Sequence, residues 1–123
     1  MGHGGAHEVG TFFDGAPDGF ALFEVVADAV DEIGPSEVQV STSQVAFRRR
    51  RGFAYVWRPG RYVRPDVAAV LSIPLPRRVD SDRLTEVSHP SPTVWMHHVE
   101  LRDAADVDDD VRSWLAEAYA HAG

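Results

Sequence analysis

Apolar residues recur at helical spacing near both ends of the chain and alternate at strand spacing in between. From Pro17 to Ile33, Leu22, Val25, Val26, Ala29, Val30 and Ile33 form one stripe with Phe23 at its margin, while Glu24, Asp28, Asp31 and Glu32 lie opposite. This pattern predicts an amphipathic helix. Pro17 suits its first turn, Gly34 the position just past its end, and Pro35 blocks continuation. A second helix is expected to be capped by Asp106 and to run to about Ala122, burying Val107, Val111, Trp114, Leu115 and Ala118. Asp108, Asp109 and Asp110 fall in its first turn, where carboxylates meet the positive end of the helix dipole.

Between the helices the period drops to two. Val38 and Val40, then Val45 and Phe47, alternate with polar residues, and Arg49-Arg50-Arg51-Gly52 reads as a hairpin tip. The next strand, Phe53 to Trp57, is expected to place Phe53, Tyr55 and Trp57 on one face and Ala54 and Val56 on the other, as suits a strand inside a sheet. Arg58-Pro59-Gly60-Arg61 has the residues of a type II turn. Ala68 to Ile73 reads as a strand that Pro74 ends or confines to an edge. Residues 76–92 are expected to be a long polar loop with one helical turn near Asp82, a length that draws functional suspicion. Thr93 to Leu101 reads as the last strand. The expected fold is therefore α+β: an N-terminal helix, an antiparallel meander of about five strands and a C-terminal helix, with both helices on one face of the sheet. Residues 1–10 are Gly-rich and are expected to be a flexible tail before a single domain over residues 11–123.

At 123 residues, 44% hydrophobic and 25% charged, the chain has the makings of one ordinary core. It contains no cysteine, which excludes disulfides, thiolate metal sites and cysteine nucleophiles. All twelve basic residues are arginine, so a P-loop lysine, a Schiff-base amine and a carboxylate-lysine nuclease centre are excluded as well. No apolar run approaches the length that spans a bilayer, and the cytoplasm is the expected location.

The net charge of −7 conceals a segregation. Residues 1–40 carry acids and no arginine, whereas residues 43–65 carry arginines and no acid. One reading is an anion-binding surface formed by Arg48, Arg49, Arg50, Arg51, Arg58 and Arg61, with Tyr55 and Trp57 between them for stacking. The other is internal compensation, in which acidic helix faces neutralise a basic sheet through weak surface pairs. The two arginine groups lie at opposite ends of one strand, roughly 17–20 Å apart, so they do not make one compact site. Nucleic acid is not favoured as the anion, because an acidic protein repels it at long range.

His97, His98 and Glu100, with His89 upstream, raise the question of a metal. Strand alternation sets His97 with Trp95, Val99 and Leu101, and His98 with Met96 and Glu100, so adjacent histidines face apart and no metal is assigned. A histidine that holds the long loop by hydrogen bonds is the simpler reading. No Gly-x-Ser-x-Gly elbow and no Gly-rich dinucleotide fingerprint occurs, so no catalytic residue and no cofactor is assigned.

The runs Ser43 to Ala54 and Trp95 to Leu101, and the ending from Asp106 through Trp114 and Leu115 to Tyr119, resemble domain-of-unknown-function family 5655 (DUF5655) over nearly the whole chain. The resemblance implies a bacterial or archaeal domain with a shared fold and no mechanism, and it transfers no site residue. Gln44 departs from the basic residue expected after the serine. Three uses then stand open: a noncatalytic module that binds an anionic ligand or protein partner through the arginine hairpin, a homo-oligomerising structural domain, monomer or homodimer being undecided, and a hydrolase or metal-dependent enzyme built on His98, Glu100 and the 76–92 loop.

Overall fold

The computed structural model describes residues 5–59 and 66–123. Three α-helices, α1 (Gly5–Phe12), α2 (Pro17–Ile33) and α3 (Asp109–Ala122), accompany six strands: β1 (Glu37–Val40), β2 (Val45–Arg48), β3 (Gly52–Trp57), β4 (Ala69–Leu75), β5 (Glu86–Ser91) and β6 (Val94–Leu101). The strands form one antiparallel sheet in the order β1-β2-β3-β4-β6-β5. The fold is α+β, as the period changes predict. Among the described residues no helix is long and apolar enough to cross a membrane.

Helices cover one face of the sheet. Register sets Val45, Val56, Leu71 and Val99 in a cross-strand row, all buried, and these join Leu22, Val26 and Val30 of α2 and Val111 and Leu115 of α3 in one core. Both predicted helical stripes face the core, with Val25 and Ile33 half-buried, Phe23 buried rather than marginal and Val107 buried just before α3.

Five expectations need correction. The stretch expected to be a tail carries α1, and Val9 is buried in the core, because Val9 and Phe13 are one helical turn apart and share a buried face. The 76–92 segment is a loop only as far as Thr85; β5 follows and pairs outside β6, giving six strands and a departure from a plain meander. Both β4 and β5 are antiparallel to β6, so they run parallel to each other and need the crossover made by residues 76–85. The helix cap also moves. Asp103 caps a short 3-10 turn (Ala104–Asp106) with Asp106 completing its capping box, and Asp108 caps α3 by accepting from Val111 N–H at 3.0 Å.

The fourth correction concerns Phe53. Cross-strand partners run Phe47↔Ala54 and then Arg48↔Gly52, leaving Phe53 as an extra residue in β3. This bulge breaks the alternation and turns Phe53 to the helix side, where it meets Phe47 and packs edge-on against Tyr119 at 5.2 Å between ring centres. Tyr55 and Trp57 keep the opposite face. Pro74 lies within β4 rather than at its end, and β4 is an interior strand. It is tolerated because β3 pairs with β4 only from Tyr55↔Ser72 to Trp57↔Val70, which makes the Pro74 end of β4 a local edge.

Candidate functional site

An α-helix leaves its last four carbonyls without intrahelical donors. At the end of α3 the β2–β3 tip supplies donors to three of them. Arg50 and Arg51 both donate backbone N–H groups to Ala122 O at 2.9 and 3.1 Å. Arg49 Nη1 donates to Tyr119 O at 2.8 Å, and Arg51 Nη2 donates to His121 O at 2.7 Å. The Arg49 guanidinium also lies 4.1 Å from the centre of the Tyr119 ring. Arg58, at the far end of β3, plays the same part for α1 and the turn after it, with Nη1 near Phe12 O and Asp14 O at 3.4 and 3.3 Å. The side chains of Arg48 and Arg50 make no hydrogen bond or ion pair among the described residues. Arg61 and the Gly60-Arg61 half of the expected turn lie outside the described residues.

The ion pairs divide the arginines into two groups. Arg77, Arg78, Arg83, Arg102 and Arg112 each pair with a carboxylate, whereas Arg48, Arg49, Arg50, Arg51 and Arg58 pair with none among the described residues. Internal compensation therefore describes the first group and fails for the second. Beside the tip lies a hollow of about 230 Å³ between the start of β3, the end of β4, the β5–β6 turn and the end of α3.

The sheet face away from the helices holds a second constellation. Register aligns Tyr55, Ser72, His98 and Glu86 in one row across β3, β4, β6 and β5. Trp57 Nε1 donates to Ser72 Oγ at 2.8 Å, and Ser72 Oγ stands 2.7 Å from His98 Nδ1. An indole N–H can only donate, so it takes one lone pair of Ser72 Oγ and leaves the Ser72 O–H available to donate to His98 Nδ1. With that O–H donated to Nδ1, neutral His98 is the Nε2–H tautomer, and Ser88 Oγ lies 3.5 Å from Nε2. Burial pushes His98 below the ordinary imidazole pKa, offset in part by the Glu86 carboxylate. Ser72, Glu86 and Ser88 were not legible as partners of His98 in the sequence; the alternation of β4 was the one available signal.

The family model described as a domain of unknown function, DUF5655, matches residues 9–122. The chain belongs to this family. No match to the DUF5655 chain is found among curated proteins or solved structures.

In this DUF5655 domain the parts of the enzymatic reading separate. His98 engages Ser72, while Glu100 pairs with Arg102 at 3.1 Å, which in turn reaches Asp66 at 2.7 Å. The crossover lies on the helix side of the sheet, where His97 holds it. Val79 N–H donates to His97 Nε2 at 3.0 Å, so Nδ1 carries the proton and donates to Ile73 O at 3.2 Å. Burial lowers the His97 pKa, with hydrogen bonds to the Ile73 and Trp95 backbone opposing. Arg77 forks onto Glu117 of α3 at 3.0 and 2.8 Å, holding that carboxyl below its usual pKa, and Arg83 reaches Asp106 and Asp108. His89 stacks on Trp95 at 3.6 Å between ring centres. Among the described residues no group of three His, Asp or Glu side chains converges as a metal site.

Proposed function

We propose that this DUF5655 domain is a noncatalytic, cytoplasmic binding module that takes an anionic ligand or protein partner at the end of the molecule carrying Arg48, Arg49, Arg50 and Arg51. The observation that supports this reading is the split among the arginines: Arg77, Arg78, Arg83, Arg102 and Arg112 are matched to carboxylates, and the four at the tip are not among the described residues. Capping fixes the backbone of the tip and the aim of Arg49 and Arg51, each of which commits one guanidinium hydrogen bond to α3. Arg48 and Arg50 keep all of theirs. A rigid cationic tip loses little entropy when it binds, which favours recognition by position rather than by flexible wrapping. Tyr55 lies one row from this tip with its hydroxyl over Gly52, whereas Trp57 commits its indole N–H to Ser72. Arg58 belongs to the other end of β3 and is left out of the proposed site, and Arg61 lies outside the described residues.

The test is fluorescence anisotropy with a labelled oligo-aspartate peptide and, separately, a labelled single-stranded DNA of equal charge, titrated from low to physiological salt. The expected result is saturable binding of the peptide that weakens as salt rises. Absence of binding to either probe at low salt contradicts the proposal, and tighter binding to the DNA reassigns the anion.

A further inference from the structure

The hollow beside the tip has a structural cause. The bulge at Phe53 and the proline at position 74 face each other across β3 and β4, and together they end the ladder at Tyr55↔Ser72. The sheet splits there. One wall is Gly52 and one is Pro74 and Leu75; Val94 closes the outer side and Ala118 the helix side, with Arg51, Thr93 and His121 on the rim. Among the described residues no carboxylate side chain lines it.

We infer that this split in the sheet is a binding site for a small monocarboxylate with a compact apolar body. The inference rests on the anion-binding reading of the tip and names a ligand class for it. Three features select the class. A volume of about 230 Å³ holds on the order of eight water-sized groups, below the range of pockets for drug-sized ligands. Leu75, Val94, Pro74 and Ala118 give it apolar walls, which a bare inorganic anion would leave uncovered. Arg51 commits Nη2 to His121 O, and the rest of its planar fork matches the geometry of one carboxylate. One guanidinium with one neighbouring imidazole neutralises a single anionic charge, not a polyphosphate.

The test follows backbone amides of isotope-labelled protein by NMR during titration with sodium benzoate, and in parallel with benzyl alcohol, which has a similar shape and no charge. The expected result is saturable benzoate shifts confined to Gly52, Leu75, Val94, Ala118 and their neighbours, with benzyl alcohol weaker by about tenfold. Arg51→Gln should weaken benzoate by about tenfold. Should that variant disturb the α3 end, Thr93→Glu, which places a carboxylate at the exposed rim, should weaken it as well. Absent, non-saturable or dispersed shifts overturn the site. If the labelled peptide still binds in that case, the carboxylate inference fails alone; if the peptide binding is lost too, both readings fail.

Discussion

Arg49 contacts Tyr119 twice, with Nη1 donating to its carbonyl at 2.8 Å and the guanidinium plane 4.1 Å from its ring centre. The two residues are 70 positions apart in the chain, so this contact ties the β2–β3 tip to the last turns of α3. A guanidinium satisfies an orphan carbonyl and the ring together; an ammonium is a point charge that serves one of them well. Arg49→Ala is expected to cost about 1 kcal/mol, and Arg49→Lys roughly half of that, both read from urea unfolding. Equal stability of all three proteins would remove the capping role.

Gly34, just past α2, has φ 165, an extended backbone that any residue adopts. Glycine is required there by space, because a methyl group would meet the Tyr119 hydroxyl, which donates to Pro35 O at 2.8 Å. With room for the methyl, Gly34→Ala would stabilise by about 0.4–1 kcal/mol through the unfolded chain. Loss of the hydroxyl's bond and displacement of the ring outweigh this, so the net expected change is a destabilisation of about 1 kcal/mol. In a Tyr119→Phe background the cost should shrink, and a double-mutant cycle measures the coupling.

Adjacent histidines are expected to hold opposite neutral tautomers, His97 as Nδ1–H and His98 as Nε2–H, because Val79 N–H occupies one ring nitrogen of the first and Ser72 the other nitrogen of the second. Long-range proton–nitrogen correlation spectra distinguish them. Ser72→Ala strands Trp57 Nε1 and His98 Nδ1 and should cost roughly 1–2 kcal/mol. Matching tautomers in the two rings would refute the assigned bonding.

Both imidazoles resist protonation in the folded state through burial. The unfolded chain binds those protons first, so stability is complete above about pH 6.5 and declines as pH falls below it. Glu117, lowered by Arg77, adds a further loss in the more acidic carboxylate range. Urea midpoints measured from pH 8 to pH 5 should fall monotonically with acidification. A flat profile through about pH 6 would show that neither ring is held neutral.

α2 and the buried face of α3 were legible because such signals are local: Pro17, Gly34 and Pro35 bracket α2, and the apolar spacing gives its buried face, whereas α1 lies in a Gly-rich stretch too short to show a stripe. β5 was not, since an edge strand with exposed Glu86, His89 and Pro90 has no alternating apolar signal to read. The bulge at Phe53 hid behind an alternation that continues through it in sequence, with Gly52 beside it as the one hint. The Ser72–His98 pair depends on the β4–β6 register, a pairing across a crossover that no local pattern specifies. The arginine tip was read as cationic surface from its charge alone, and its capping of α3 became visible only when residues far apart in sequence were brought together.

The proposed role of the tip is anion binding by its unpaired arginines, in addition to capping α3. Arg48 and Arg50 carry no side-chain bond among the described residues, so Arg48→Gln with Arg50→Gln should leave stability within about 0.5 kcal/mol of the parent. The deciding measurement is the salt dependence of oligo-aspartate binding by this double variant against the parent. Anion binding at the tip requires an affinity at least about tenfold weaker and a shallower salt slope at unchanged stability; equal affinity and equal slope would rule it out.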